Sequence, residues 1–139
     1  MILVDDHFIA HRLAAGSLRV TPDSATRVAT TCSWWWRLSA ALAGSRGGAI
    51  SRYFARVEPG AQSALQRTVA RLPDAILILD RRELIPAMAL LSAEYDLNLL
   101  AAEAVAAAEV LGADLVNRQE TPKIRETAAA RGIAYRLDP

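Results

Sequence analysis

The chain has a single cysteine, a single lysine, two histidines and no marked charge excess among its 139 residues. Cys32 cannot form a disulfide within the chain, although it could join two copies, so cysteine usage gives no indication of an oxidising compartment. Positive and negative charges nearly cancel at +1. Bulk charge therefore indicates neither a nucleic acid nor a membrane as the partner.

Long uninterrupted hydrophobic runs are also lacking. The longest weakly charged stretch, residues 97–113, contains Glu103 and Glu109 and is rich in alanine, which contributes little transfer free energy. We expect it to form a buried helix. The N-terminus has neither the basic start nor the long apolar region of a signal peptide, so we expect a cytoplasmic protein without membrane association.

The residues that are present are typical of one folded domain covering residues 1–139. Hydrophobic residues make up 53% and charged residues 22%, and we find no internal repeat. Apolar periodicity and turn residues predict a helix after residue 6 and further elements in alternation. The predicted strands are 2–4, 27–31, 75–79, 114–117 and 133–137. The other predicted helices are 34–43, 50–57, 65–72, 81–95, 97–111 and 121–131.

Strands that alternate with helices favour an α/β fold with three layers, α/β/α, around a mostly parallel sheet of about five strands. The continuous apolar run at residues 75–79 predicts a central strand with Leu77 in the core. Functional groups in such sheets gather at the carboxyl ends of the strands. Those ends are Asp5, Thr31, Asp80 and Asn117.

Two segments resemble the PIN-domain family of metal-dependent ribonucleases, specifically the VapC-type toxins. The opening Met-Ile-Leu-Val-Asp-Asp-His-Phe-Ile is similar to the first strand and helix of that family, in which the aspartate corresponding to Asp5 is the first metal ligand. Residues 78–116 are similar to its second half, which runs strand, helix, hinge, helix, Leu-Gly-Ala and strand. The resemblance implies the same three-layer fold.

The resemblance also implies a requirement for three or four carboxylates around Mg²⁺ or Mn²⁺, because hard cations prefer oxygen ligands. Only Asp5 matches directly. The second acid would fall near Trp36 or Arg37, the third at Ala101, and the fourth at Gln119. The sequence therefore resembles a PIN domain with a degenerate acidic site.

Two functions remain open from this resemblance. The first is a catalytically degenerate binding or regulatory relative of toxin–antitoxin ribonucleases, with no cofactor. The alternative is an active Mg²⁺- or Mn²⁺-dependent endoribonuclease with an unorthodox cluster, in which Asp5, Glu103 and Glu120 are catalytic. Asp5 and Asp6 are the candidate metal ligands in that case.

The first helix holds three further candidate groups. Asp6 could instead stabilise the exposed amides at the helix N-terminus without any metal, and we favour that role. His7 and His11 have a spacing found in zinc sites, but no cysteine or further histidine lies nearby. We therefore expect them to be polar residues on the helix surface.

The tryptophan run Trp34, Trp35 and Trp36 spans about 200° of a helix, so the three side chains cannot all face one core. We expect at least one of them to lie in a protein interface, since tryptophan is enriched there. The partner would be a second copy, giving a homodimer, or a small antitoxin-like protein. Irregular backbone that packs all three internally is the alternative.

Arginines are concentrated between residues 37 and 71, where Glu58 is the one acid. They are Arg37, Arg46, Arg52, Arg56, Arg67 and Arg71. Such a group can follow a phosphate backbone, so Arg37, Arg52 and Arg56 are candidate RNA-binding residues. The alternative is a solvated helix surface, because nearly all basic residues in this chain are arginine.

Overall fold

A computed structural model describes residues 1–16, 26–44, 48–72 and 74–138, which form five strands and seven helices. The strands are β1 (Ile2–Val4), β2 (Val28–Thr30), β3 (Ile76–Ile78), β4 (Asp114–Asn117) and β5 (Tyr135–Leu137). The helices are α1 (Asp6–Ala14), α2 (Cys32–Ala43), α3 (Ser51–Phe54), α4 (Pro59–Ala70), α5 (Arg81–Tyr95), α6 (Leu99–Leu111) and α7 (Pro122–Ala130).

The five strands form one parallel sheet in the order β3-β2-β1-β4-β5. This confirms the predicted α/β fold and is consistent with three layers. Side chains alternate across the central strands, as the strand geometry requires. Leu3 and Leu115 belong to a core that includes residues of α5, α6 and α7, whereas Val4 and Val116 belong to a second core with residues of α1 to α4.

Helix α6 confirms the expected buried helix and is buried along most of its length, from Ala101 to Ala108. Asn98 caps its N-terminus by accepting a hydrogen bond from the amide of Ala101 at 2.9 Å. Gly112 ends the helix at φ 56°, a left-handed conformation that glycine adopts without strain. The small alanine side chains let α6 lie close to the sheet and to its neighbouring helices, which leaves Glu103 inside the protein.

The prediction that residues 75–79 form a central strand was wrong. Strand β3 is at the edge of the sheet, and 37% of the Leu77 side chain is exposed, although Ile76 and Leu79 on either side are buried. A short apolar run does not distinguish an edge strand from a central one, because either can be covered by helices. Replacing Leu77 by alanine should therefore lower the free energy of unfolding by less than the same replacement of a core leucine.

Several boundaries also differ from the predicted ones. The helix expected at 50–57 is the single turn α3, the helix expected at 65–72 already begins at Pro59, and α6 begins at Leu99 rather than at residue 97. Proline is well placed in the first turn of α4, where its missing amide hydrogen is not needed. The cap at Asn98 explains the later start of α6.

Within the described residues, no single helix is long and apolar enough to cross a membrane. The helices α5 and α6 satisfy the length and composition criteria only as a pair, and they are bent by 119° relative to each other.

Candidate functional site

The parallel sheet brings the ends of its strands to one edge, as predicted. Asp5 follows β1, Thr31 follows β2, Asp80 comes two residues after β3, and Asn117 ends β4. Asp5, Thr31 and Asn117 are buried there. The helices that follow these strands begin at the same edge, so their exposed backbone amides face the carboxylates.

Asp5 is the N-cap of α1 and is held by backbone amides from two elements. Its Oδ1 accepts from Phe8 N at 2.7 Å, and its Oδ2 accepts from Arg118 N at 3.0 Å and Gln119 N at 3.4 Å. Burial raises the pKa of Asp5 to about 6, while these three amides and the Arg37 charge act in the opposite direction. Asp5 thus joins the start of α1 to the segment after β4.

Asp6 is 1% exposed and faces a cation. Its Oδ2 lies 3.0 Å from Nε of Arg37 on α2, and neither carboxylate oxygen accepts a well-aligned hydrogen bond from a described side chain or backbone amide. Burial raises the pKa of Asp6 to about 7, with Arg37 lowering it and Asp5 raising it further. The N-cap of α1 is Asp5, and Asp6 lies in the first turn of the helix, so its predicted stabilisation of the helix N-terminus stays a prediction.

Glu103 is fully buried on α6 and binds two groups from other elements. Arg81 donates to it through Nε to Oε1 and through Nη2 to Oε2, both at 3.2 Å, and Ser33 N donates to Oε2 at 3.2 Å. Nη2 of Arg81 also donates a hydrogen bond to Ser33 Oγ at 2.6 Å. Glu103 therefore stabilises the N-terminus of α2 and is balanced by a bidentate ion pair.

Glu120 is exposed and paired with Arg125. Ala101 lies in the core, and Gln119 contributes its backbone amide to Asp5 rather than a carboxylate. Within residues 1–16, 26–44, 48–72 and 74–138, no three His, Cys, Asp or Glu side chains are grouped so as to hold a metal ion. Asp5, Asp6, Glu103 and Glu120 thus do not form the rearranged cluster that the active-ribonuclease alternative needs.

The carboxylates at this edge of the sheet are already contacted by amides and arginines. Mg²⁺ takes oxygen ligands in a nearly octahedral arrangement, commonly one or two carboxylates together with water molecules. The Asp5 oxygens are used by three amides, Arg37 faces Asp6, and Arg81 occupies both oxygens of Glu103. Arg37 and Arg81 thus place positive charge beside two of the buried acids.

A cleft of about 670 Å³ opens beside α1 and α3, next to the segment after β4 whose amides bind Asp5. Its lining includes His7, His11, Arg52, Tyr53 and Arg56. The Tyr53 ring makes edge contacts with both imidazoles, at centroid distances of 5.9 Å to His7 and 6.0 Å to His11. His7 is buried, so the expectation that both histidines lie on the helix surface was wrong for that residue.

Both histidines favour the neutral form. Burial lowers the pKa of His7 below its ordinary value, and the charges of Arg37 and Arg118 lower it further. Burial also lowers the pKa of His11, together with Arg118 and Arg12, while Asp138 opposes them. The positive charge of the cleft therefore comes from arginine side chains.

The arginines predicted to bind RNA lie in different places. Arg52 and Arg56 line the cleft, whereas Arg37 pairs with Asp6. Arg67 is on the exposed side of α4 and is not among the residues that line the cleft. Arg46 lies outside the described residues.

The three tryptophans differ in exposure, as their angular spread on α2 predicted. Trp34 is 1% exposed in the core, which removes it from any interface. Trp35 is partly buried, and its Nε1 donates to Val69 O at 2.7 Å. Trp36 is 69% exposed and lines a groove together with Leu99, another exposed apolar side chain. The interface prediction therefore depends on Trp36.

Sequence reasoning missed Arg81 and Tyr53. Arg81 follows Asp80 at the edge where functional groups were expected, so its position at the end of a strand was an available signal. Tyr53 stands between Arg52 and Arg56, a pattern of aromatic and basic residues that was noted only for its charge. No signal in the sequence paired Arg81 with Glu103, which lies 22 residues away.

No protein-family model matches the chain, and no curated protein matches its sequence. The resemblance to PIN domains therefore stays a prediction from the quoted residues. Function has to be argued from the site itself.

Proposed function

We propose that the chain is a PIN-like binding or regulatory module without ribonuclease activity, in which arginine side chains stand where related proteins need a metal ion. The observation that supports it is the pairing of two buried acids with arginines, Asp6 with Arg37 and Glu103 with Arg81. Arg37 is also one of the two residues that align with a missing acid of the resembled family.

The missing carboxylates also support the proposal. Ala101 and Gln119 stand where the resemblance requires carboxylates, so two anionic ligands are missing, and Arg37 adds a positive charge instead. A guanidinium donates hydrogen bonds but cannot coordinate a water molecule and lower its pKa, as a divalent metal does. Such a site stabilises the fold and supplies no hydrolytic chemistry.

The binding half of the proposal rests on Trp36. A large aromatic side chain with most of its surface in water, next to the exposed Leu99, has the composition of an interface centre. The partner is a protein, either a second copy of this chain or a small antitoxin-like protein.

One observation favours the alternative of an active Mg²⁺- or Mn²⁺-dependent endoribonuclease. Asp5 and Asp6 are adjacent buried carboxylates, and the pKa of each is raised, to about 6 and about 7. Carboxylates with raised pKa values are enriched at functional sites. A bound cation would stabilise their charged forms.

Calorimetric titration with Mn²⁺ distinguishes the two functions. We expect no saturable binding to the wild-type chain, and the same heats from Asp5→Asn and from a surface control, Glu83→Gln on α5. Saturable binding that Asp5→Asn abolishes and Glu83→Gln keeps would contradict the proposal and favour the ribonuclease.

A further inference from the structure

The cleft beside α1 and α3 has a chemistry that the acidic edge of the sheet does not share. We propose that it binds a small phosphate-bearing ligand of about one nucleotide in size, with Arg52 and Arg56 on the phosphate and Tyr53 against an aromatic ring. The inference does not depend on the PIN resemblance or on the absence of ribonuclease activity.

The charge of the cleft favours an anion. Arg52 and Arg56 are exposed and have no ion pair with any side chain in the described part of the chain, unlike Arg37 and Arg81. They lie four residues apart, in α3 and the turn after it, and both line the cleft. Two guanidinium groups on one side of a cleft provide the forked donors that match phosphate oxygens.

The aromatic lining favours a ligand with a planar ring. Tyr53 is placed between the two arginines in sequence, and its ring makes T-shaped contacts with His7 and His11. These contacts hold the tyrosine in place before a ligand arrives, which reduces the entropy lost on binding. Nucleic-acid bases stack on such rings with a favourable free energy.

The size and two further lining residues favour a compact ligand over a polymer. A volume of about 670 Å³ falls within the range of small-molecule sites. Gln119 and Glu120 also line the cleft, and the amide side chain of Gln119 can form hydrogen bonds with a base or sugar. The carboxylate of Glu120 would repel the phosphates of a longer strand.

The test is calorimetric titration of the full chain with adenosine monophosphate, with adenosine, ribose 5-phosphate and a single-stranded oligoadenylate as comparison ligands. The variant Arg52→Gln/Arg56→Gln removes both cleft charges. The double variant Arg67→Gln/Arg71→Gln removes the same number of exposed arginines outside the cleft lining. Circular dichroism checks that both variants are folded.

We expect saturable binding of adenosine monophosphate, weaker binding of adenosine and of ribose 5-phosphate, and a loss of affinity of about tenfold or more in Arg52→Gln/Arg56→Gln alone. No saturable binding of adenosine monophosphate would overturn the proposal, and so would equal losses in the two double variants. Oligoadenylate that binds more tightly and is not displaced by adenosine monophosphate would also overturn it, in favour of an RNA surface.

Discussion

Glu103 is the most completely buried acid at the site and illustrates how single residues determine its chemistry. A buried carboxylate is costly unless charge and hydrogen bonds compensate for the lost hydration. Arg81 and Ser33 provide both. The hydrogen bonds that Glu103 accepts from Arg81, together with its negative charge, raise the pKa of Arg81. The pair links α6 with the starts of α2 and α5.

Replacing Arg81 by methionine should leave Glu103 buried without its counter-charge and lower the free energy of unfolding by roughly 3–5 kcal/mol. The double variant Arg81→Met/Glu103→Gln should recover part of that loss, because no buried charge remains uncompensated. Urea denaturation measures both, with Arg82→Met as the exposed control, expected to change stability by less than about 0.5 kcal/mol. A loss for Arg81→Met no larger than that of Arg82→Met would contradict the assigned ion pair.

The buried Asp6 predicts a dependence of stability on pH. Its pKa is raised from 3.8 to about 7 in the folded chain, so the protonated form is favoured by folding. This contribution is fully present below pH 3.8 and is lost as the pH rises to about 7. Over this range the free energy of unfolding should fall by on the order of 2–4 kcal/mol.

The variant Asp6→Asn should remove this dependence and be the more stable protein at pH 7, but not at pH 3.8. Denaturation curves are measured for wild type and variant at a series of pH values. Their difference separates the contribution of Asp6 to stability from those of Asp5 and the two histidines. Parallel pH profiles for the two proteins would show that Asp6 ionises as readily in the folded chain as in the unfolded one.

At the scale of elements, successive side chains of α2 face different surroundings because of the angular periodicity of the helix. Trp34 packs into the core, Trp35 packs against α4 through Val69, and Trp36 faces solvent. Arg37, one position further, points its charge at Asp6 on α1. The helix therefore presents its apolar surface next to the arginine that neutralises the acidic edge.

Replacing Trp36 by serine should abolish association, whereas Val110→Ser at the exposed end of α6 should not. We expect the wild-type chain to be a dimer or a stable complex, because burying a tryptophan at an interface centre commonly contributes about 2 kcal/mol or more. Light scattering over a concentration series measures the mass. A wild-type chain that stays monomeric, with tryptophan fluorescence unchanged by dilution or by candidate partners, would count against this surface.

The elements themselves could be predicted well where local signals were strong. The acidic turn at Asp5, the break near Asn98 and the stop at Gly112 all lie where cap and turn residues indicated them. The edge position of β3 could not be predicted, because strand order depends on how the connections pack and not on the composition of one run.

The site was predictable to a smaller extent. The strand ends that gather at one edge were identified from the alternation of elements, and Asp5 was identified among them. The arginine partners of Asp6 and Glu103 were not identified, because ion pairs between distant elements have no characteristic spacing in the sequence. Side-chain pairing of this kind is a property of tertiary packing.

At the scale of the whole molecule, the parallel sheet places its functional edge between two cores and brings α1, α2 and α5 together there. The electrostatic balance at this edge is between acids and arginines of the same chain. We propose that this internal balance replaces a metal site, so that the fold is kept without hydrolytic activity.

RNA cleavage tests this proposal most directly. The rates at which the purified chain and its Asp5→Asn variant cleave single-stranded and structured RNA are compared in the presence of Mg²⁺ or Mn²⁺. The comparison matters because a contaminating ribonuclease would act equally in both preparations. We expect equal rates, since Asp5 alone cannot hold the metal. Metal-dependent cleavage by the wild type that Asp5→Asn abolishes would contradict it, and further loss in Glu103→Gln or Glu120→Gln would identify the remaining ligands.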